Sequence, residues 1–410
     1  MVAVGPAHGF LLPAPGSALQ HVSTNAPFQV GRAATITTTT LRAAPIASLP
    51  TAEIVNFEFQ GHQTYSEIYR SIQKSNNKNN NLHVLLIHGF GCSTVYWRET
   101  ISALTREGYT VHALDLLGQG KSAKPVTPNL YSINLWAQQV EAYAQANVPI
   151  KGGNNGGIVL MGNSLGSVVA LSAATSDYLF EEKTDSTPNY DKSFIRQHCK
   201  GIGMYNCGIG MNSRNLMYDF EGFQRVFFTA VFDLLDALVF GNIPLLTYVL
   251  DKVVTKELLR NALTGLYQYA DAPESRVNEA LVDSFYTPAK DPNSPRVLSQ
   301  IYTNDPGSAP MEIYQRHLDL FAQKIPIHLV WGEQDGVTPL TGSVGQFFLS
   351  KSQSDDNNGV SMNVITGGHI PFDEVPQCND FMVQWLNTVV TAKSNAASQP
   401  SFSFKLPFFQ

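Results

Sequence analysis

The chain has 410 residues, of which 43% are hydrophobic and only 15% charged, with a formal net charge of −6. That length can bury a large core, as one big α/β domain or one domain plus an insertion. The absence of a basic stripe argues against nucleic acid as a partner, and no apolar run reaches the length of a membrane span.

Residues 1–52 are a different material from the rest. They contain no Asp or Glu, are dominated by Ala, Ser, Thr and Pro, and carry Arg32 and Arg42 as cations. This is the composition of an organellar transit peptide and not of a folded segment, the alternative being a disordered tail that carries no address. A first α/β core segment is expected over 53–207. Glu53–Phe59 and His62–Ile72 have strand character, and the asparagine tract Asn76–Asn81 reads as a surface turn. The pattern then alternates: strand Leu82–His88, helix at about Val95–Glu107, strand Tyr109–Leu114, helix at about Ser132–Gln145, and strand Gly157–Met161 running into a further helix. Glu181–Lys192, with Pro188, reads as an exposed loop, and Lys200–Cys207 as the sixth strand. Strands alternating with helices imply a mostly parallel, doubly wound sheet.

Residues 208–324 are too long for an ordinary connection and form an expected helical cap between the sixth and seventh strands. Helical patterns cover Phe223–Phe240, Ile243–Val254, Lys256–Tyr269 and Arg276–Phe285. In the first of these, Thr229, Asp233 and Asp236 make one narrow polar stripe on an otherwise apolar helix. Core packing of the cap on the sheet is the leading expectation there; the greasy wall of a substrate cleft and a membrane-facing patch are the alternatives. The core resumes over 325–392 with strands Ile325–Trp331 and Val360–Ile365 and a helix at about Asn379–Val390. A tail occupies 393–410. The cysteines, Cys92, Cys199, Cys207 and Cys378, lack C-x-x-C spacing and read as reduced thiols in a reducing compartment.

Chemistry enters at Gly162-Asn163-Ser164-Leu165-Gly166, where a buried strand turns directly into a helix. In that context G-x-S-x-G works as a nucleophile elbow, and the two glycines are required because the turn leaves no room for a Cβ. A serine hydroxyl is a poor nucleophile until a base takes its proton, so a histidine oriented by a carboxylate is needed. In this arrangement the chain order is Ser, acid, His. His369, in Gly367-Gly368-His369 just past the last strand, is the expected base. Asp335, immediately after strand Ile327–Trp331, is the expected acid, with Glu333 as runner-up. Both stand at carboxyl ends of strands, where open α/β sheets gather their sites. The oxyanion hole is expected from the backbone N–H groups of Leu165 and Phe90, the latter in His88-Gly89-Phe90-Gly91. His88 itself reads as structural. Gly120-Lys121-Ser122 imitates the end of a phosphate loop, but the required first glycine would fall at Asp115. No metal-binding motif occurs, and neither a metal nor a cofactor is expected.

These residues resemble the α/β-hydrolase superfamily, and more closely its plastid branch of chlorophyll dephytylases and pheophytinases. The resemblance runs from about Leu82 to Leu386 and is carried by Leu114-Asp115-Leu116-Leu117-Gly118-Gln119-Gly120, by Gly162-Asn163-Ser164, by Asn206-Cys207-Gly208, and by Gly210-Met211-Asn212. Its most distinctive part is Trp331-Gly332-Glu333-Gln334-Asp335-Gly336-Val337-Thr338-Pro339-Leu340, continuing to Gly342 and Gly345. Pro288-Ala289, Pro306-Gly307, Gly368-His369, Pro371, Asp373-Glu374 and Pro376 complete it. It implies hydrolysis of the phytyl ester of a chlorin propionate, with Ser164 attacking, His369 moving the proton and Asp335 holding the imidazole. It also implies a plastid location, an apolar ester as the small-molecule partner, and room for peripheral contact with the thylakoid membrane. The chain departs from the branch at Ile370, where a cysteine is frequent, in the loop Glu181–Lys192 and in the Phe-rich tail Phe402–Phe409.

An apolar cap suffices for such a substrate, because burying even five methylenes favours a phytyl ester over a short one by ~4 kcal/mol, nearly a thousandfold. Two other readings use the same residues: a lipid or general carboxylesterase, and a ligand sensor that keeps the pocket with little turnover. Haloalkane dehalogenase and epoxide hydrolase chemistry needs an aspartate at the elbow, which Ser164 disfavours.

Overall fold

In the middle of the sheet, strands are apolar on both faces. Every residue of β3 (Leu82–Ile87) is buried, as is all of β5 (Gly157–Ser164) except its final serine. Such continuous apolar runs belong to parallel strands covered by helices on both sides. The structure, a computed structural model, describes residues 49–71, 81–150, 156–180, 190–212, 214–215, 220, 222–267, 269–270, 273–354 and 358–396. Residues 1–48 of the leader-like segment, most of the asparagine tract, most of the loop Glu181–Lys192 and the Phe-rich tail lie outside these residues, and Ala52, counted with the leader from sequence, begins β1.

Among the described residues, eight strands form one sheet in the order β1-β2-β4-β3-β5-β6-β7-β8. The other strands are β1 (Ala52–Phe59), β2 (His62–Tyr69), β4 (Thr110–Leu114), β6 (Cys199–Cys207), β7 (Ile327–Gly332) and β8 (Val360–Ile365). β1 pairs antiparallel with β2 and β2 with β4; every later pairing is parallel. This is the mostly parallel sheet that the strand and helix alternation implies, and the α/β-hydrolase fold that the resemblance implies.

Side chains alternate across the sheet with period two and build two cores. Leu85, Ile87, Ile158 and Leu160 face α2 (Ile133–Asn147) and α3 (Leu165–Thr175), which follow α1 (Arg98–Arg106) in the chain. Val84, Leu86, Val159 and Met161 face the opposite core, with Ile101 and Leu104 of α1 and Trp385 and Leu386 of the C-terminal helix. Ser132 starts α2 as its N-cap, its side chain accepting from the Leu135 N–H, which satisfies one of the donors that a helix start leaves without a partner.

After the short α4 (Phe194–His198) and β6, the connection to β7 is helical. It holds α5 (Gly222–Leu235), α6 (Ile243–Tyr248), α7 (Lys256–Leu266), α8 (Pro273–Arg276), α9 (Glu279–Ala289), α10 (Ser294–Thr303), α11 (Pro310–Arg316) and α12 (Leu318–Gln323). The helix expected over Arg276–Phe285 is divided, because Asn278 caps α9 by accepting from the Leu281 N–H. Beyond β7 come α13 (Ser343–Gln353), α14 (Pro371–Glu374) and α15 (Asn379–Ala396).

The leading expectation for the first cap helix is overturned. α5 contributes no buried side chain, so its apolar face does not pack on the sheet. Asp233 and Asp236 both reach Arg214, at 3.4 and 2.8 Å, but of the polar stripe only Asp236 is drawn into the protein, while Thr229 and Asp233 stay exposed. Asp236 is buried while Phe223 is 82% exposed.

Candidate active site

Ser164 ends β5 with φ 54° and ψ −123°, a left-handed conformation that is costly for a non-glycine residue. The strain persists because the surroundings leave no other path. A Cβ at Gly162 would collide with the Gly166 carbonyl, and one at Gly166 with the Ile87 carbonyl. Both glycines are thus required as the sequence implies. A Cβ at Gly208 would stand 2.9 Å from the Leu165 nitrogen, so the chain after β6 also passes hard against the elbow.

The loop after β3 lies on the other side of the serine. A Cβ placed on Gly89 would stand 3.3 Å from the Ser164 Cβ and 3.2 Å from the Asn163 Oδ1. Phe90 is therefore the next residue along a backbone already touching the elbow, and Leu165 is the first residue of α3, where helix N–H groups lack intrahelical acceptors. The loop is held by buried polar groups. The Gly91 N–H donates to Gln119 Oε1 at 2.6 Å, and the Thr94 N–H to Asp115 Oδ1 at 2.7 Å. His88 bonds the Gly89 carbonyl through Nδ1 at 2.7 Å and accepts from the Leu116 N–H through Nε2 at 3.1 Å, which fixes one neutral tautomer. That is the structural role expected of it.

The acid and base expected from sequence meet. His369 Nδ1 donates to Asp335 Oδ2 at 2.8 Å, which leaves Nε2 as the lone-pair nitrogen. Asp335 is fixed from all sides. Its Oδ1 accepts from the Val337 and Thr338 N–H groups at 2.7 and 3.1 Å, and its Oδ2 from Thr338 Oγ1 at 2.6 Å and Asn206 Nδ2 at 2.5 Å. Burial by itself would raise its carboxyl, but the His369 imidazole and the donors from His369, Thr338 and Asn206 outweigh burial and hold it below the ordinary carboxylate range. Glu333, the runner-up, instead bonds Gln334 and Thr366 at the surface.

Ser164 makes no side-chain hydrogen bond to His369 among the described residues, but their backbones are linked: Asn163 Nδ2 donates to the His369 carbonyl at 3.2 Å and to the Tyr205 carbonyl at 3.0 Å. Both residues keep partial exposure where most of their neighbours are buried, so a ligand can reach them. Loose serine–histidine geometry without substrate is ordinary for such sites.

Four contributors were not singled out from sequence: Asn163, Asn206, Thr338 and Glu374. Asn206 has φ 45° at the end of β6, which brings its amide to Asp335 and to the Gly332 N–H. Glu374 in α14 accepts from the Gly368 N–H and from the Tyr269 N–H, both at 2.7 Å, and so joins the histidine loop to the cap. Thr338→Val keeps the shape of the side chain and removes the hydroxyl donor to Asp335. A charge-assisted hydrogen bond of this kind is worth ~1.5–3 kcal/mol, so kcat with a soluble chromogenic ester is expected to fall by about tenfold or more. An unchanged kcat contradicts that role.

Buried titrating groups set the acid stability. Burial drives His88 and His328 down to about 4 and His112 to about 3, and it drives Asp115 and Glu374 up to about 7. A histidine depressed in the fold lends stability above its ordinary value near 6.5 and loses it as pH falls toward the folded value. The two carboxyls act in the opposite sense, keeping protons in the fold that the unfolded chain has released. With three histidines against two carboxyls, unfolding takes up about one proton between about pH 6.5 and 4.5. Stability is expected to fall on acidification by ~1.4 kcal/mol per pH unit, read as the urea midpoint; a flat or rising series contradicts this.

A serine on a strained elbow and a histidine–aspartate pair at neighbouring strand ends stand together on one side of an α/β sheet. The chain belongs to the alpha/beta hydrolase family, whose sequence pattern it matches over residues 84–377. Among curated proteins, "Probable lysophospholipase BODYGUARD 1" of Arabidopsis thaliana is 30% identical over 111 residues, 26% of this chain and 22% of that protein. BODYGUARD 3 of the same plant is 33% identical over 111 residues, 26% of this chain and 21% of that protein. The matched stretch is thus about a fifth of the length of these relatives. Among solved structures, a serine hydrolase involved in carbazole degradation (CarC) covers 82% of this chain and 98% of its own, with TM-score 0.50 and 17% identity. Haloalkane dehalogenase DbeA from Bradyrhizobium elkani USDA94 covers 83% and 100%, with TM-score 0.54 and 16% identity. At such identities the likeness establishes the fold alone.

Proposed function

We propose that the protein is a serine carboxylic-ester hydrolase that removes phytol from chlorophyll or pheophytin. The observation that carries the chemistry is the 2.8 Å pair of His369 Nδ1 and Asp335 Oδ2 beside the strained Ser164 elbow. His369 Nε2 takes the Ser164 proton as Oγ attacks the ester carbonyl, and returns it to the departing alcohol. The Asp335 carboxylate holds the tautomer and stabilises the imidazolium. The Phe90 and Leu165 N–H groups receive the oxyanion, each such donor being worth ~3 kcal/mol in the transition state. Water then releases the acid from Ser164 by the same proton transfers in reverse roles.

The phytyl ester is favoured by the motifs shared with the chlorophyll dephytylase and pheophytinase branch, and it would place the protein in a plastid, reached through residues 1–52. A second reading, hydrolysis of a lysophospholipid or another lipid ester, is favoured by the similarity to the Arabidopsis lysophospholipases. The test is incubation of the protein, starting near Glu53, with chlorophyll a, pheophytin a and a lysophosphatidylcholine in parallel. Multiple-turnover release of phytol supports the first reading, release of fatty acid alone supports the second, and a single slow turnover on all three supports a ligand sensor.

A further inference from the structure

The longest uncovered apolar surface on the described residues is the bent pair formed by Gly222–Phe240 and Ile243–Val253, whose axes meet at 63°. Phe223, Val226, Phe227, Leu234 and Leu238 are all more than half exposed. At 100° per residue they fall within one arc of about 120°, which the stripe of Thr229, Asp233 and Asp236 flanks on the Val226 side. From 226 to 250 the only charged residues are those two aspartates, and both are drawn to Arg214 on the polar side. The one exposed charge at the edge of this face, Asp233, is paired with Arg214, which reduces the cost of bringing the face against hydrocarbon. Exposed Arg225 stands at one border of this surface, and the ion pair Lys252–Asp251, at 2.9 Å, and the exposed Tyr248 stand at the other.

This surface is continuous with the catalytic elements. Phe240, at the end of the first arm, stacks on Tyr302 with ring centroids 3.8 Å apart and planes 3° from parallel. Tyr302 in turn meets Phe90 edge-on at 5.6 Å, and Phe90 follows the glycine that lies against Ser164. No single described helix is long and apolar enough to cross a membrane; the two arms together have the length and composition of a broken span, but the 63° break between them and the charged Asp251 and Lys252 in the second arm suit a pair lying along the surface.

We propose that the bent pair is the membrane-docking surface of the protein, resting in the interfacial layer of a lipid bilayer with its aromatic end delivering a lipophilic ester to Ser164. An apolar face bordered by Arg225, a tyrosine and charges that are already ion-paired suits the interface, where hydrocarbon and headgroups meet. The use of this surface rests on the ester-hydrolase reading; the docking itself does not.

The test uses the full chain carrying Ser164→Ala, so that nothing is turned over, and measures its flotation with phosphatidylcholine vesicles. Flotation is expected, and the combination Phe227→Glu, Leu234→Glu, Leu238→Glu is expected to weaken it by at least about tenfold. Ile54→Glu, on the exposed edge strand β1, is expected to leave it unchanged. With Ser164 restored, the triple variant should still hydrolyse a short soluble ester at the parent rate, which also certifies its fold. Vesicle binding that the triple variant keeps, or a patch that instead holds two copies together in solution and yields monomers when mutated, overturns the proposal. Docking without hydrolysis of any ester would sink the enzymatic reading and spare this one.

Discussion

Ser164→Ala is expected to lower kcat on an ester substrate by at least about 10⁴-fold while leaving binding of that ester and the unfolding midpoint close to those of the parent. The hydroxyl is the one group that the proposed chemistry cannot replace, because His369 and the backbone donors act only on a bond that Ser164 forms. Nothing in the packing depends on it: the side chain makes no cap hydrogen bond at the start of α3. Ser164→Gly separates the two roles further. Glycine accepts φ near 54° without strain, so that variant should be inactive and more stable by ~1 kcal/mol. A Ser164→Ala protein with substantial turnover would move the nucleophile elsewhere.

The largest expected loss of stability from a single side chain is at Arg98. Its guanidinium donates to both carboxylate oxygens of Asp373, from Nε at 2.8 Å and from Nη2 at 2.7 Å, and Nη2 also donates to the Arg276 carbonyl at 2.7 Å. Tyr267 gives Asp373 a further hydrogen bond at 2.5 Å. Arg98 and Asp373 are both buried, so Arg98→Met leaves a carboxylate in the core without its countercharge. Breaking a buried pair in this way costs about 3–5 kcal/mol. Arg98→Met with Asp373→Leu removes the stranded charge and should recover more than half of that loss, although Tyr267 then lacks its acceptor. Urea unfolding of the three proteins decides the matter, and a single variant within about 1 kcal/mol of the parent contradicts the account. The same cluster joins α1, the cap and α14, so Arg98→Met should also loosen the segment that carries His369.

How much of this was legible in the sequence depends on how local each signal is. The elbow is written in five consecutive residues, and the steric reason for both glycines holds in the structure. Asp335 and His369 could be read because each follows an apolar strand directly, and strand ends in a parallel sheet gather on one side. The fold class follows from the same alternation. Asn206 was not legible as a support, since its contact with Asp335 exists only once β6 and β7 lie side by side, and Thr338, only three residues after Asp335, was hidden because the turn that brings its hydroxyl back to the carboxylate has no fixed sequence signal. Glu374 was hidden for a similar reason, its partners being one residue before His369 and another far away in the cap. In α5 the amphipathic pattern was visible, but periodicity gives the faces of a helix without saying which one meets the protein. Arg214, eight residues before the helix begins, holds Asp236 just past its end, a contact that periodicity does not show.

Treatment of the intact protein with a fluorophosphonate, followed by peptide mapping, tests the central claim most directly. A basic, accessible serine hydroxyl beside a waiting oxyanion site should be labelled once per chain, at Ser164, and the labelling should be lost in Asp335→Asn and in His369→Ala. Label on another residue, or labelling of Ser164 that persists unchanged without His369, would contradict it.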